Sequence, residues 1–172
     1  MPFERVDFRP RCLMKLAQNF FAMERPSQAL NELRRCIRLY PDHPLSYQAR
    51  LNASRILSEQ SDFDAAGEYL EFNLYDGTLN PSSPTWRESL YELGKLFYRR
   101  GELQFTDAER LKDNWNESNK LQRLQMLEQA HTQFLQGIRR LEEWLKRYPD
   151  DERRYDTMYS VGSAYRMASQ YP

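Results

Sequence analysis

A chain of 172 residues has room for one ordinary domain with its core and none for a separate catalytic module. Its 25 basic and 25 acidic side chains cancel, so there is no global pull toward nucleic acid or anionic lipid, and binding of either would need a local patch. With 40% hydrophobic and 29% charged residues and a mean hydropathy of −0.87, the composition suits a thin body that exposes much surface per residue, while the recurrence of Leu, Tyr, Phe and Trp argues against disorder.

The charge is uneven along the chain: residues 1–55 carry ten basic and five acidic side chains, and residues 56–80 carry six acidic and no basic ones. Cys12 and Cys36 are the two cysteines, with no CxxC pair, so the spacing indicates neither a disulfide scaffold nor a zinc site, and both read as small core residues. No apolar run approaches about 18 residues, and the charged start Pro2-Phe3-Glu4-Arg5 is not a signal peptide. The chain as given reads as soluble, cytoplasmic or periplasmic.

Helical spacing starts at once. Leu13, Leu16, Ala17 and Phe20 form one apolar stripe, Arg25-Pro26 breaks it, and Ala29, Leu30, Leu33, Cys36 and Ile37 form the next before Tyr40-Pro41-Asp42. This predicts two helices joined by a tight turn and stopped by a proline. The pattern returns with Ala53, Ser54 and Leu57, a turn at Ser61-Asp62-Phe63-Asp64, and Ala65, Ala66, Tyr69 and Leu70. It returns again with Leu90, Leu93, Gly94, Phe97 and Gly101, followed after an insertion by Ile138, Leu141, Trp144 and Leu145, which end in Tyr148-Pro149-Asp150-Asp151. A fourth first helix carries Met158, Val161, Gly162 and Tyr165.

These residues resemble the tetratricopeptide repeat family, whose period is about 34 residues. The family places a small residue late in the first helix and another early in the second, where the two cross; Ala17 and Ala29, Ser54 and Ala66, Gly94 and Gly137, then Gly162, fill those places. The resemblance covers nearly the whole chain except about residues 102–130, and is strongest in the first repeat and in Leu90 to Glu102. Arg50 departs from it where the family prefers Trp or Leu, and Asn73 and Trp144 where it prefers Ala. The resemblance implies an all-α fold, a right-handed α-solenoid of antiparallel helical hairpins, about three and a half repeats in a single domain spanning 1–172. Their bounds are 9–42, 44–77, 85–149 with an insertion at about 103–120, and a half repeat at 151–170.

The insertion is polar and rich in Asp, Asn and Lys, and is expected to form a loop or short helix at the edge of the solenoid. From Ser118 to Arg147 there is no proline and one glycine, which predicts a single helix of about 45 Å at 1.5 Å per residue. Leu124, Leu127, His131, Phe134, Ile138, Leu141, Leu145 and Tyr148 form a seam along it, readable as solenoid core or as a coil for self-association. The final Gln170-Tyr171-Pro172 matches the turn position of the first repeat, so the last first-helix is expected to lack its mate and the chain to be part of a longer protein. The stretch from Tyr148 through Gly162 to Tyr165 also looks like repeats of bacterial envelope accessory proteins of the Tol-Pal and outer-membrane assembly type.

No catalytic pattern stands beside this. His43 reads as a turn residue between Pro41 and Pro44, His131 as a partly buried core histidine, and Asp150-Asp151-Glu152 as the capping of a helix start. There is no HExxH, Gly-rich phosphate loop or GxSxG. Neither catalysis, nor a cofactor, nor a metal site is expected.

What the resemblance implies instead is protein or peptide binding on a concave face lined by the first helices. Positions offset from the packing stripe point to Arg11, Gln18 and Phe21; Gln48, Asn52 and Arg55; Tyr91, Lys95, Tyr98 and Arg99; and Tyr159, Ser163 and Arg166. The groove set expected to carry binding is Gln18, Asn52, Arg55, Tyr91, Lys95, Tyr98, Arg99, Tyr159 and Arg166, since Tyr and Arg give much contact per residue fixed. The competing reading packs Tyr91, Tyr98 and Tyr159 between hairpins and leaves the cations solvated. Some family members hold a peptide's C-terminal carboxylate with Lys, Asn and Arg; Met14, Gln18, Glu88 and Glu92 stand at positions of that clamp, so it is not carried over. An extended, acidic ligand would be met by Arg55, Lys95, Arg99 and Arg166 in another geometry. The alternative role is that of an assembly subunit joined through the helix at 118–147 and the unpaired last helix. RNA binding through the Tyr and Arg face is disfavoured by the neutral net charge.

Overall fold

The computed structural model describes residues 8–112 and 116–169. Pro2-Phe3-Glu4-Arg5, positions 113–115 of the expected insertion and Gln170-Tyr171-Pro172 lie outside the described residues. Every regular element among the described residues is helical. The chain divides into two compact units, Met1–Ser89 and Leu90–Pro172.

The first unit holds α1 (Phe8–Ala22), α2 (Pro26–Leu39), α3 (Pro44–Glu59) and α4 (Phe63–Glu71), which runs on into a π-helical turn at Phe72–Asp76. Each helix packs on the next, and α1 also meets α3. The apolar stripes expected from the sequence form the seam of the first hairpin: Leu13, Met14 and Ala17 are buried on one side, and Ala29, Leu30, Leu33 and Cys36 on the other. Leu16, expected on that stripe, is 44% exposed, because it falls on the outer side of α1 beside Lys15.

Both hairpins of this unit turn in the same way. At the end of α1 the Arg25 amide donates to the Phe20 carbonyl (2.9 Å) and the Glu24 amide to that of Phe21 (3.0 Å); after α3, Asp62 donates to Leu57 (2.9 Å) and Ser61 to Ser58 (3.1 Å). These paired bonds satisfy the last carbonyls of each helix and need one left-handed residue, here Glu24 (φ 56°) and Ser61 (φ 63°). The next helices then start on prepared ground, with Pro26 in the first turn of α2 and the Asp62 carboxylate accepting from the Ala65 amide (3.3 Å) in α4.

Two departures from the repeat pattern are absorbed locally. Arg50, only 4% exposed, lays its guanidinium on the Phe72 ring at 4.0 Å and near Tyr47 at 5.4 Å. Burial pushes its pKa down from the ordinary value, with Tyr47 the largest opposing influence. Asn73 is fully buried, and its side-chain amide donates to the Tyr47 carbonyl (2.9 Å) and the Ser89 hydroxyl (3.0 Å). An alanine there would pack but could not tie the π-helical turn to α3, so the wider turn and the asparagine go together.

Helix α5 (Pro84–Arg110) starts in the first unit and continues into the second, which also holds α6 (Glu117–Arg147) and α7 (Arg154–Ala168). Where a loop or short helix was expected, the described residues of the insertion up to Arg110 lengthen α5 and those from Glu117 begin α6. Gly101 does not end α5. A Cβ at that position would lie 2.9 Å from the Phe134 ring, so the glycine lets α6 cross close. The extended hairpin is also tied by Arg123 donating to Glu109 at 2.9 Å.

The core of this unit is Ala130, Phe134, Ile138, Leu141, Val161, Ala164 and Ala168. Along the long-helix seam, Leu127, Phe134, Ile138 and Leu141 are buried, while Leu124 is 38% exposed toward the hairpin tip. On α7, Thr157, Val161, Ala164 and Ala168 are buried. Met158, Gly162 and Tyr165, expected to face inward, are exposed, because the turn of the helix puts them on the other side from that buried face.

Candidate functional site

In the first unit, α1 and α3 line an open pocket of about 340 Å³, with Leu33 of α2 contributing to its wall. Ala17 and Ala22 of α1 are small, and this leaves the space open. Leu33 of α2 and Ile56 of α3, both buried, form the apolar wall, and the Phe21 ring, 50% exposed, forms the side. Gln18, Asn52 and Arg55 complete the lining.

Three of the expected groove residues, Gln18, Asn52 and Arg55, thus meet around one cavity, as does Phe21. The Arg55 guanidinium reaches the Glu88 carboxylate at 3.5 Å, and Arg87 reaches the other oxygen of Glu88 at 3.5 Å. Sequence reasoning noticed Glu88 but not its pairing with Arg55. Nor did it find Ala22 and Leu33. The signal was available in the pair Ala17 and Ala22, two small residues on a helix whose neighbours Phe21 and Leu33 are large.

The remaining expected residues lie in the second unit and divide in two. Tyr91 sits 5.1 Å from the Trp144 ring, with Arg153 stacked above it at 4.4 Å and the Lys95 ammonium at 5.8 Å. Tyr98 sits 6.0 Å from Phe134 and donates to the Ser163 hydroxyl at 3.3 Å. Burial pushes both phenols above their ordinary value; Arg153 opposes this for Tyr91, and the Ser163 hydrogen bond opposes it for Tyr98. These contacts are packing between helices. Lys95, Arg99, Tyr159 and Arg166 are exposed, Tyr159 at 78%.

The two histidines serve local structure. The His43 Nδ1 accepts from the Leu45 amide (3.1 Å) at the start of α3, and the His131 Nδ1 lies 3.0 Å from the Ala168 carbonyl. Cys36 is fully buried against Ser46, with its Sγ 3.8 Å from the hydroxyl, and burial raises its thiol pKa. Among the described residues no cluster of three or more His, Cys, Asp or Glu side chains is placed to hold a metal ion, and no helix is long and apolar enough to cross a membrane.

Comparison with known proteins matches residues 11–43, the first hairpin, to the tetratricopeptide repeat family. No curated protein matches the chain. Among solved structures, the chain is similar to the nearly identical TPR-like repeats of a Podosopora anserina protein described as a kinesin light chain, with 17% identity, 94% of this chain and 88% of that one covered, and a TM-score of 0.46. A single-substitution variant of those repeats gives 17% identity, 94% and 87% coverage, and a TM-score of 0.47.

Proposed function

Given a chain whose first hairpin is a tetratricopeptide repeat, we propose that it is a non-catalytic scaffold that holds another protein or a peptide in the groove between α1 and α3. Tetratricopeptide repeats are protein-interaction modules, and the observation that supports this site is the pocket itself. Residues from two first helices converge there on an apolar cavity with polar side chains at its rim, the make-up of a binding site that fixes an apolar group and orients it. The test is cross-linked capture of partners with the purified chain, followed by mass spectrometry, with an Asn52→Ala/Arg55→Ala variant alongside. A partner held by the wild type and lost by the variant supports the groove. One held equally by both removes it.

A second reading is favoured by the outer face of α7, where Tyr155 (80% exposed), Tyr159 and Tyr165 stand with Met158. In this reading the chain is an assembly subunit, using α7 and the exposed leucines Leu121 and Leu124 of α6 for permanent contacts, including contacts with its own copies. Light scattering discriminates: a strict monomer over a wide concentration range removes the self-association form of this reading.

A further inference from the structure

The pocket between α1 and α3 carries enough chemistry to specify its ligand further, on the reading that this groove binds peptides. Its volume of about 340 Å³ is at the low end for ligand sites, which run from roughly 300 to 1,000 Å³. It therefore suits one large side chain better than a whole compact ligand. Ala17, Leu33 and Ile56 give it an apolar interior, and the Phe21 ring offers an aromatic wall.

The rim is polar in a specific way. The side-chain amides of Gln18 and Asn52 have no hydrogen-bond partner among the described residues. Each offers two donors and an acceptor, the complement of a peptide group's own acceptor and donor. Two such amides, one on α1 and one on α3, can hold the backbone of an extended strand without reading its sequence. Arg55 stands beside them as the one charged residue of the lining, and it already engages a carboxylate, that of Glu88, at 3.5 Å with both side chains partly open to solvent. A long contact at an open edge is readily exchanged.

We propose that this pocket takes one large apolar side chain of an extended peptide, and that an Asp or Glu within two residues of it replaces Glu88 on Arg55. Glu88 is then an internal stand-in for the ligand's carboxylate, and it sets how acidic a peptide must be to compete. The carboxylate is a side chain within the peptide, so no free C-terminus is needed.

The test is a positional-scanning library of N-acetylated, C-amidated decapeptides presented to the full chain, with hits measured by fluorescence anisotropy. The expected selection is Leu, Ile, Met or Phe at one position and Asp or Glu one or two places away. Changing the peptide's acid to its amide should weaken binding about tenfold, the size of a charge-assisted hydrogen bond. Arg55→Ala should abolish the preference for the acid while keeping that for the apolar residue. Glu88→Gln should tighten binding of the acid peptide and leave the amide peptide unchanged. Because a change at buried Ala17 would disturb the helix crossing, the cavity is filled instead by Ala22→Leu at its exposed rim, which should remove the apolar preference. Selection of Lys or Arg beside the apolar residue, or no change on Glu88→Gln, overturns this inference while leaving groove binding intact, provided Asn52→Ala still weakens the hits. Hits indifferent to both Asn52→Ala and Ala22→Leu overturn it together with the groove reading, as does the absence of any hit.

Discussion

Gly137 of α6 faces the backbone of α5 so closely that a Cβ there would lie 3.1 Å from the Gly94 carbonyl oxygen and 3.0 Å from the Tyr98 amide nitrogen. At Gly94 a Cβ would lie 2.7 Å from the Leu141 side chain, itself fully buried. Alanine gains about 1 kcal/mol of helix propensity over glycine, and overpacking costs about 1–3 kcal/mol. Gly94→Ala and Gly137→Ala should therefore each lose stability, by up to about 2 kcal/mol net. At Gly67 and Gly162 an added Cβ meets nothing within 4 Å, so alanine there should gain up to about 1 kcal/mol. Urea unfolding of the four variants checks the contrast in sign.

Glu24 and Ser61 hold left-handed backbone at equivalent turns, where a side chain costs energy that glycine avoids. Ser61→Gly and Glu24→Gly should each raise stability by about 0.5–1 kcal/mol, after allowing for the greater freedom of glycine in the unfolded chain. Thermal melts should move upward by a few degrees, about 2–4 °C per kcal/mol for a chain of this size.

Arg50 lies against the Phe72 and Tyr47 rings and donates to the Pro41 carbonyl at 3.4 Å, so much of its worth lies in stacking and stem packing. Arg50→Ala should cost about 2–4 kcal/mol, as expected of a truncated core side chain. Arg50→Leu, which refills the volume without burying a charge, should cost less than half of that. Chemical denaturation of both variants measures the difference.

Tyr91 and Tyr98 give the second unit a pH dependence. Burial favours their neutral forms, raising both phenols above 10.0. Their contribution is whole below the unfolded-state value and is lost as pH rises through the raised folded one. The melting temperature should fall above about pH 10, and Tyr91→Phe/Tyr98→Phe should make that fall shallower. Melts followed from neutral to strongly alkaline pH test this, with tyrosinate absorbance rising alongside the unfolding signal.

Much of the hairpin build was legible because helix periodicity and small-residue pairing are short-range signals. Ala17 with Ala29 and Gly94 with Gly137 followed from the resemblance to the tetratricopeptide pattern, and the turns from Arg25-Pro26 and Asp62. The insertion, expected as a loop or short helix, carries the end of α5 and the start of α6 in its described residues; polar composition does not show that length, which Arg123 with Glu109 and Phe134 over Gly101 sustain. Tyr91 and Tyr98 show the other limit. A helical offset gives a direction, but whether a tyrosine meets solvent or a ring depends on Trp144, Phe134 and Arg153, which lie about forty residues or more away in sequence. Glu88 was noticed, but its pairing with Arg55 depends on how α3 meets the start of α5.

A photo-cross-linking amino acid placed at position 18, in the pocket rim, and compared with the same group at position 38 on the exposed side of α2, shows whether the partner sits between α1 and α3. The groove account predicts covalent capture of a partner from position 18 and little from position 38, with capture suppressed by Ala22→Leu. Equal capture from both positions, or capture from position 38 alone, would contradict it.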